Sequence, residues 1–257
     1  MTAPAPGTFV WRELATGDVD AARRFYSGLL GWTWKGEETD GIGTYWLGSA
    51  GGRQVCGAVQ KLPGWTMPSA WSSYVLVDDV DSAVAVAGAS GGKALHAPDD
   101  IPGVGRFAVI ADPWGAVVMP FHPSGGEEAP APMPPPPGHF CWETLVTPEV
   151  AASIDFYGKV IGMGTGRTPD GRGTVFTAGD VPVADLQPGR PGGPAYWATY
   201  VAVEDAIRSR DQAAALGGTV LVPRVDVPMV GTVAVVADPD GAPLGLFQPL
   251  HRRPGAP

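Results

Sequence analysis

Cysteine is nearly missing from this chain of 257 residues: there is Cys56 in the first half and Cys141 in the second. So few thiols exclude a disulfide-stapled scaffold, and both read as small buried hydrophobes. Histidine is as sparse, with His96, His122, His139 and His251 scattered along the chain. Cationic side chains are in deficit, 17 Lys and Arg against 26 Asp and Glu, for a formal charge of -9. Nucleic acid is therefore excluded as a partner, because phosphate binding needs a basic face. No apolar run approaches the ~20 residues that cross a bilayer. The start, Met1-Thr2-Ala3-Pro4-Ala5-Pro6, lacks the basic region and apolar core of a signal peptide. The expectation is a cytoplasmic protein with no membrane partner. There is also no phosphate-binding loop, nucleophile elbow, dinucleotide fingerprint or Cys-x-x-Cys pair, and no cofactor is expected.

What the chain does have is a long internal repeat. Gly7-Thr8-Phe9-Val10-Trp11-Arg12-Glu13-Leu14 is echoed 131 residues later by Gly138-His139-Phe140-Cys141-Trp142-Glu143-Thr144-Leu145. Phe25-Tyr26 and Gly31 return in that register as Phe156-Tyr157 and Gly162. An offset of 126 then pairs Tyr74-Val75 with Tyr200-Val201, Gly91-Gly92 with Gly217-Gly218, and Asp112-Pro113-Trp114-Gly115 with Asp238-Pro239-Asp240-Gly241. A repeat this long implies two copies of one domain, not a solenoid. Between them the chain is dense in Pro and Gly, which favours an extended spacer. The expected division is a first domain over 1–123, a linker over 124–137 and a second domain over 138–257.

Each half carries two copies of one element order. Phe9 to Ala15 predicts a strand, and Asp18 caps a helix running to about Leu30, with Gly31 as its stop. Strands are predicted near 32–35, 43–48 and 54–60. The order then recurs: strand 73–77, a helix from Asp79 to about Ser90, and strands near 93–97, 106–111 and 116–121. The second half predicts strand 139–146, helix 150–161, strands 174–178 and 182–187, strand 197–203, helix 205–216, and strands 218–222, 231–237 and 243–248. This is an α+β chain of four β-α-β-β-β modules.

Four such modules, with Phe25-Tyr26 followed by Leu29-Leu30-Gly31-Trp32, its echo Phe156-Tyr157 followed by Val160-Ile161-Gly162-Met163, and the two Asp-Pro turns, resemble the vicinal oxygen chelate superfamily. That superfamily includes glyoxalase I, bleomycin- and fosfomycin-resistance proteins and extradiol dioxygenases. The similarity covers nearly the whole chain outside the linker, and is greatest to the double-domain glyoxalase-like proteins of actinobacteria. It implies two curved mixed sheets around clefts that hold a small molecule, in a monomer or homodimer. It also implies metal-ligand positions, which fall here on Trp11 and Trp142, Ser73 and Thr199, Met119 and Gly245, with a fourth near 57–59 and 184–186 that includes Asp185. Trp cannot ligate, and Met, Ser, Thr and Gly make poor sites for hard divalent ions. The reading is therefore of a family member without a metal.

Strand alternation assigns the cleft lining. With Trp11 inward, so are Phe9 and Glu13; Ser73, Val75, Phe107, Val109, Met119 and Phe121 complete the first cleft, and Trp142, Thr144, Thr199, Val201, Val233, Val235 and Gly245 line the second. Glu13 is the candidate general acid or base, since a carboxylate among aromatics is desolvated and its pKa raised. A second reading has Glu13 paired with Arg106 or Arg53 as a brace. Seven of the nine tryptophans lie in the first half, and Trp65, in Leu62-Pro63-Gly64-Trp65, is expected to stack on a planar ligand. A loop over 99–105 is expected to lie over the cleft. The functional expectation is a metal-independent enzyme of secondary metabolism that moves a proton on a hydrophobic aromatic or polycyclic substrate, as a lyase, isomerase or cyclase. The alternative is an antibiotic-sequestering resistance protein without catalysis.

Overall fold

The computed structural model describes residues 4–39, 41–125 and 135–250. The expected linker and His251 lie largely or wholly outside them. The first module runs β1 (Phe9–Thr16), α1 (Val19–Leu30), β2 (Thr33–Thr39), β3 (Gly43–Ala50) and β4 (Arg53–Gln60). The second runs β5 (Ala70–Leu76), α2 (Val80–Ala89), β6 (Lys93–Ile101), β7 (Gly105–Ala111) and β8 (Val117–Pro123). The third is β9 (Phe140–Thr147), α3 (Val150–Ile161), β10 (Gly164–Arg167), β11 (Thr174–Ala178) and β12 (Val181–Pro188). The fourth is β13 (Tyr196–Ala202), α4 (Ala206–Ala215), β14 (Thr219–Val227), β15 (Gly231–Ala237) and β16 (Pro243–Pro249). Hydrogen bonding orders the strands β2-β3-β4-β1-β5-β8-β7-β6 and β10-β11-β12-β9-β13-β16-β15-β14, two mixed sheets with four helices.

The helix ends follow from the residues that stand there. Asp18 accepts from the Ala21 amide at 2.8 Å and Asp79 from the Ser82 amide at 2.6 Å, which satisfies donors left open in a first turn. Gly31 and Gly162 close α1 and α3 at φ 70 and 84, where a side chain would be strained. Two differences from the sequence expectations stand out. β10 is an extra strand whose Gly-Thr-Gly-Arg carries no apolar alternation. β6 continues through Asp99, Asp100 and Ile101, so most of the expected covering loop is strand, with the chain turning only beyond Ile101. Register shifts between Ala94 and His96 and between His96 and Asp99 accommodate the extension.

The chain packs as two compact units, one within residues 1–12, 72–131 and 142–198 and the other within 13–71, 132–141 and 199–257. Each unit thus joins modules from different halves of the repeat: the second with the third, and the first with the fourth. In the first unit Val75, Ala108, Ile110 and Val118 of the β5–β8 sheet share a core with Phe156, Tyr157 and Val160 of α3. In the second, Phe25, Tyr26 and Leu29 of α1 share one with Val201, Val236, Leu244 and Leu246. A glycine admits the aromatic ring in each. A Cβ on Gly92 would lie 3.0 Å from the Phe156 ring, and one on Gly218 would lie 2.9 Å from the Phe25 ring. The repeated Gly-Gly pairs are therefore sockets for the repeated Phe. Burying each ring contributes on the order of 2–3 kcal/mol.

Candidate active site

In the second unit Glu13 and Gly57 are cross-strand partners on parallel β1 and β4. Their neighbours Leu14 and Ala58 belong to the core, so Glu13 and Gly57 face the other way. Tyr45, on β3, donates its hydroxyl to Glu13 Oε2 at 2.9 Å. The space is shared closely, since a Cβ on Gly57 would fall 1.8 Å from the Tyr45 hydroxyl oxygen. Gly57 is the opening through which the phenol reaches the carboxylate. The product is a half-buried carboxylate–phenol pair on a rigid sheet, a geometry that can hold or pass a proton. The Arg106 guanidinium binds Asp81 at 2.7 and 2.9 Å and Asp100 at 3.1 Å.

In the first unit an aromatic group forms on β5, β7 and β8. Tyr74 lies opposite Met119 and Phe107 opposite Phe121. The Tyr74 ring sits 6.0 Å from Phe107 and 5.8 Å from Phe121, and His96 stacks on Phe107 at 5.3 Å. Phe107, Val109, Met119 and Phe121 are half-buried, while Ala108, Ile110 and Val118 between them fill the core. Phe107, Val109, Met119 and Phe121 therefore lie on the side of their strands opposite that core.

Three expectations are corrected. Val75 belongs to the core, and Ser73, on its side of β5, donates to Glu143 Oε1 at 2.9 Å beside the Arg12–Glu143 ion pair. Tyr74 is the β5 residue that shares the face of Met119. In β13 Val201 is likewise core, which puts buried Thr199 on the core side and Tyr200 opposite Gly245. Phe9 packs into the first unit's core, 5.3 Å edge-on to Trp197, and does not line an open face. Trp11 is half-buried, and Trp65 is 39% exposed between β4 and β5.

On the third module's face in the first unit, Trp142 Nε1 and Thr144 Oγ1 donate to Asp185 Oδ1 at 2.9 and 2.5 Å. Thr144 and Asp185 are cross-strand partners on β9 and β12, as Glu13 and Gly57 are on β1 and β4.

Sequence reasoning places Asp185 at a possible ligand position but does not single out Tyr45 or Tyr74. One signal could have found part of this. Glu13, Tyr74, Thr144 and Tyr200 each stand five residues before the residue that caps the following helix, Asp18, Asp79, Glu149 and Asp205. Counting from the caps gives the outward face of each strand directly.

The donor set does not suit a divalent ion. Trp11, Trp142, Met119 and Gly245 occupy the expected ligand positions, and among the described residues no three His, Cys, Asp or Glu side chains gather to hold a metal.

The two mixed sheets, the four repeated modules and these cross-strand pairs define a double-domain vicinal oxygen chelate architecture. The family model for the Glyoxalase/Bleomycin resistance protein/Dioxygenase superfamily matches residues 8–119 and 137–246, and the chain belongs to that superfamily. It is 34% identical over 254 residues to the CFP32 protein of Mycobacterium tuberculosis, covering 96% of this chain and 97% of that protein. It is 33% identical over 273 residues to the anthracycline biosynthesis protein DnrV of Streptomyces peucetius, covering 100% and 98%. Among solved structures it is similar to the Mn(II)-bound glyoxalase of Novosphingobium aromaticivorans, with a TM-score of 0.64, 16% identity, and coverage of 95% and 83%.

Proposed function

We propose that this chain binds a hydrophobic aromatic or polycyclic metabolite of secondary metabolism and moves a proton on it without a metal. Glu13 is the general base or acid in this reading, and Tyr45 positions its carboxylate. The observation that carries it is the Tyr45–Glu13 hydrogen bond over Gly57, because a proton-transfer residue must be held at fixed geometry. Separately, within the first unit, the ring group of Tyr74, Phe107 and Phe121 is a face on which an aromatic ligand can stack. The likeness to DnrV, an anthracycline biosynthesis protein by name, supports secondary metabolism. Lyase, isomerase and cyclase steps all fit proton transfer without an ion. A cytoplasmic location, a monomeric or homodimeric state, and descent of residues 1–123 and 138–257 from one duplicated domain belong to the same proposal. Among the described residues no helix is long and apolar enough to cross a membrane.

A second reading, sequestration of an antibiotic without turnover, is favoured by the same ring group, which needs no acid–base partner. Glu13→Gln separates the two. With a panel of aromatic polyketides, the first reading expects turnover to fall by about 10²-fold or more while ligand affinity is kept. Full activity in Glu13→Gln removes that residue's role. Binding without turnover by the native protein supports sequestration.

A further inference from the structure

We propose that Asp185 anchors a second ligand site, built within the first unit on the third module, for a ligand that carries an ammonium group. The site goes beyond the Glu13 reading and does not depend on it. Ala184 and Leu186, on either side of Asp185, are buried in the unit's core, so Asp185 points to the opposite face, where it is half-buried. There its cross-strand partner is Thr144, the repeat counterpart of Glu13. The carboxylate has changed strands between copies: on the first strand of the first module, on the last strand of the third. In the first module the corresponding space beside Gly57 is filled by the Tyr45 hydroxyl.

Three donors fix Asp185. Trp142 Nε1 at 2.9 Å and Thr144 Oγ1 at 2.5 Å reach Oδ1, and Gln187 Nε2 at 2.6 Å reaches Oδ2. A carboxylate accepts about four hydrogen bonds, and Oδ2, on the exposed side with Gln187, can accept one from a ligand. All three donors belong to neutral side chains. Among the described residues no Lys, Arg or His lies within ion-pair distance of Asp185, whereas Asp81, Asp155 and Asp226 are paired with Arg106, Lys159 and Arg224. A partly desolvated carboxylate held in one orientation, beside an indole and without a counter-charge, selects a cation. A metal ion is the poorer match, as no second His, Cys, Asp or Glu joins a group of three there. An ammonium group supplies the opposite charge together with a donor for Oδ2.

The test is calorimetric titration of the full chain with phenethylamine and with its neutral counterpart, 2-phenylethanol. Native protein and Glu13→Gln are expected to bind the amine alike, and more tightly than the alcohol by about tenfold or more. In Asp185→Asn the amine is expected to fall to the level of the alcohol. Amine binding that is undiminished in Asp185→Asn overturns the proposal, as does equal binding of amine and alcohol by the native protein, or no amine binding at all. If Asp185→Asn fails to fold, the comparison of amine with alcohol on native protein decides. Loss of amine binding in Glu13→Gln as well as in Asp185→Asn also overturns it, because the amine would then depend on the Glu13 centre. The Glu13 reading fails separately, by turnover.

Discussion

The Tyr26 hydroxyl donates to Asp238 Oδ2 at 3.1 Å across 212 residues of sequence. Trp71 Nε1 donates to the same hydroxyl at 2.9 Å, and Asp238 Oδ1 accepts from the amides of Asp240 and Ala242. The other unit repeats the arrangement with the halves exchanged: Tyr157 donates to Asp112 at 3.2 Å and Trp197 to Tyr157 at 2.9 Å. The two motifs that mark the repeat, the Phe-Tyr pair and the Asp-Pro turn, thus bind each other, the tyrosine of one half to the aspartate of the other. Tyr26→Phe would take away the phenol from Asp238 Oδ2 and from the buried Trp71 indole N–H together. We expect a loss of about 1–3 kcal/mol for it, and the same for Tyr157→Phe, read from urea unfolding midpoints.

Two aspartates in one turn should give opposite pH signatures. Burial, ahead of all other influences, raises the Asp238 pKa above the ordinary carboxylate value. The folded state then holds that proton more tightly than the unfolded one. Its contribution is most favourable below the unfolded pKa and is lost as pH rises through the folded value. Asp240 is shifted the other way, first by its hydrogen bond from Ser69 and also by those from the Gly17 amide and Thr16. Its contribution is present above the unfolded pKa and lost as pH falls through the depressed one. Stability measured from pH 3 to 7 should therefore show a shallower acid-side loss in Asp240→Asn and a steeper one in Asp238→Asn, relative to native protein. Parallel curves would contradict both assignments.

Gly57→Ala tests the opening between Tyr45 and Glu13. The added methyl would displace the phenol, because the hydroxyl oxygen already lies where the Cβ must go. We expect the variant to lose turnover about as far as Tyr45→Phe does, while far-ultraviolet dichroism stays unchanged. Normal turnover in both variants would show that the phenol does not serve Glu13.

Gly92→Ala should destabilise by about 1–3 kcal/mol through overpacking. Its Cβ would meet the Ala111 carbonyl oxygen at 2.7 Å as well as the Phe156 ring. Gly218→Ala, against the Ala237 carbonyl oxygen at 2.6 Å and the Phe25 ring, should behave alike. Thermal denaturation reads both, and a midpoint unchanged in either variant would count against the socket.

Much of the fold was legible because three of the four helices begin at a capping aspartate, Asp18, Asp79 or Asp205, and α1 ends where periodicity stops at Gly31. β10 was not, since four residues with two glycines carry no alternating pattern. The face of β5 was misread because its parity was set from an assumed ligand position and not from the Asp79 cap, which exchanges Ser73 for Tyr74. Tyr45 was missed because its role depends on what Gly57 lacks, and that needs the cross-strand register. Which module docks on which was beyond reach for a plainer reason. Tyr26 and Tyr157 have the same sequence surroundings, and so do Asp112 and Asp238, so patterning alone cannot choose between a partner in the same half and one in the other.

That crossed pairing has a consequence for assembly. In each core a module of one half packs on a module of the other, so the two modules of a single half would need a second copy to cover their helix faces. Joining two copies in one chain turns that association into an intramolecular step, with an effective concentration on the order of millimolar for a short tether. Closure of each core within one chain then does not depend on how much protein the cell contains.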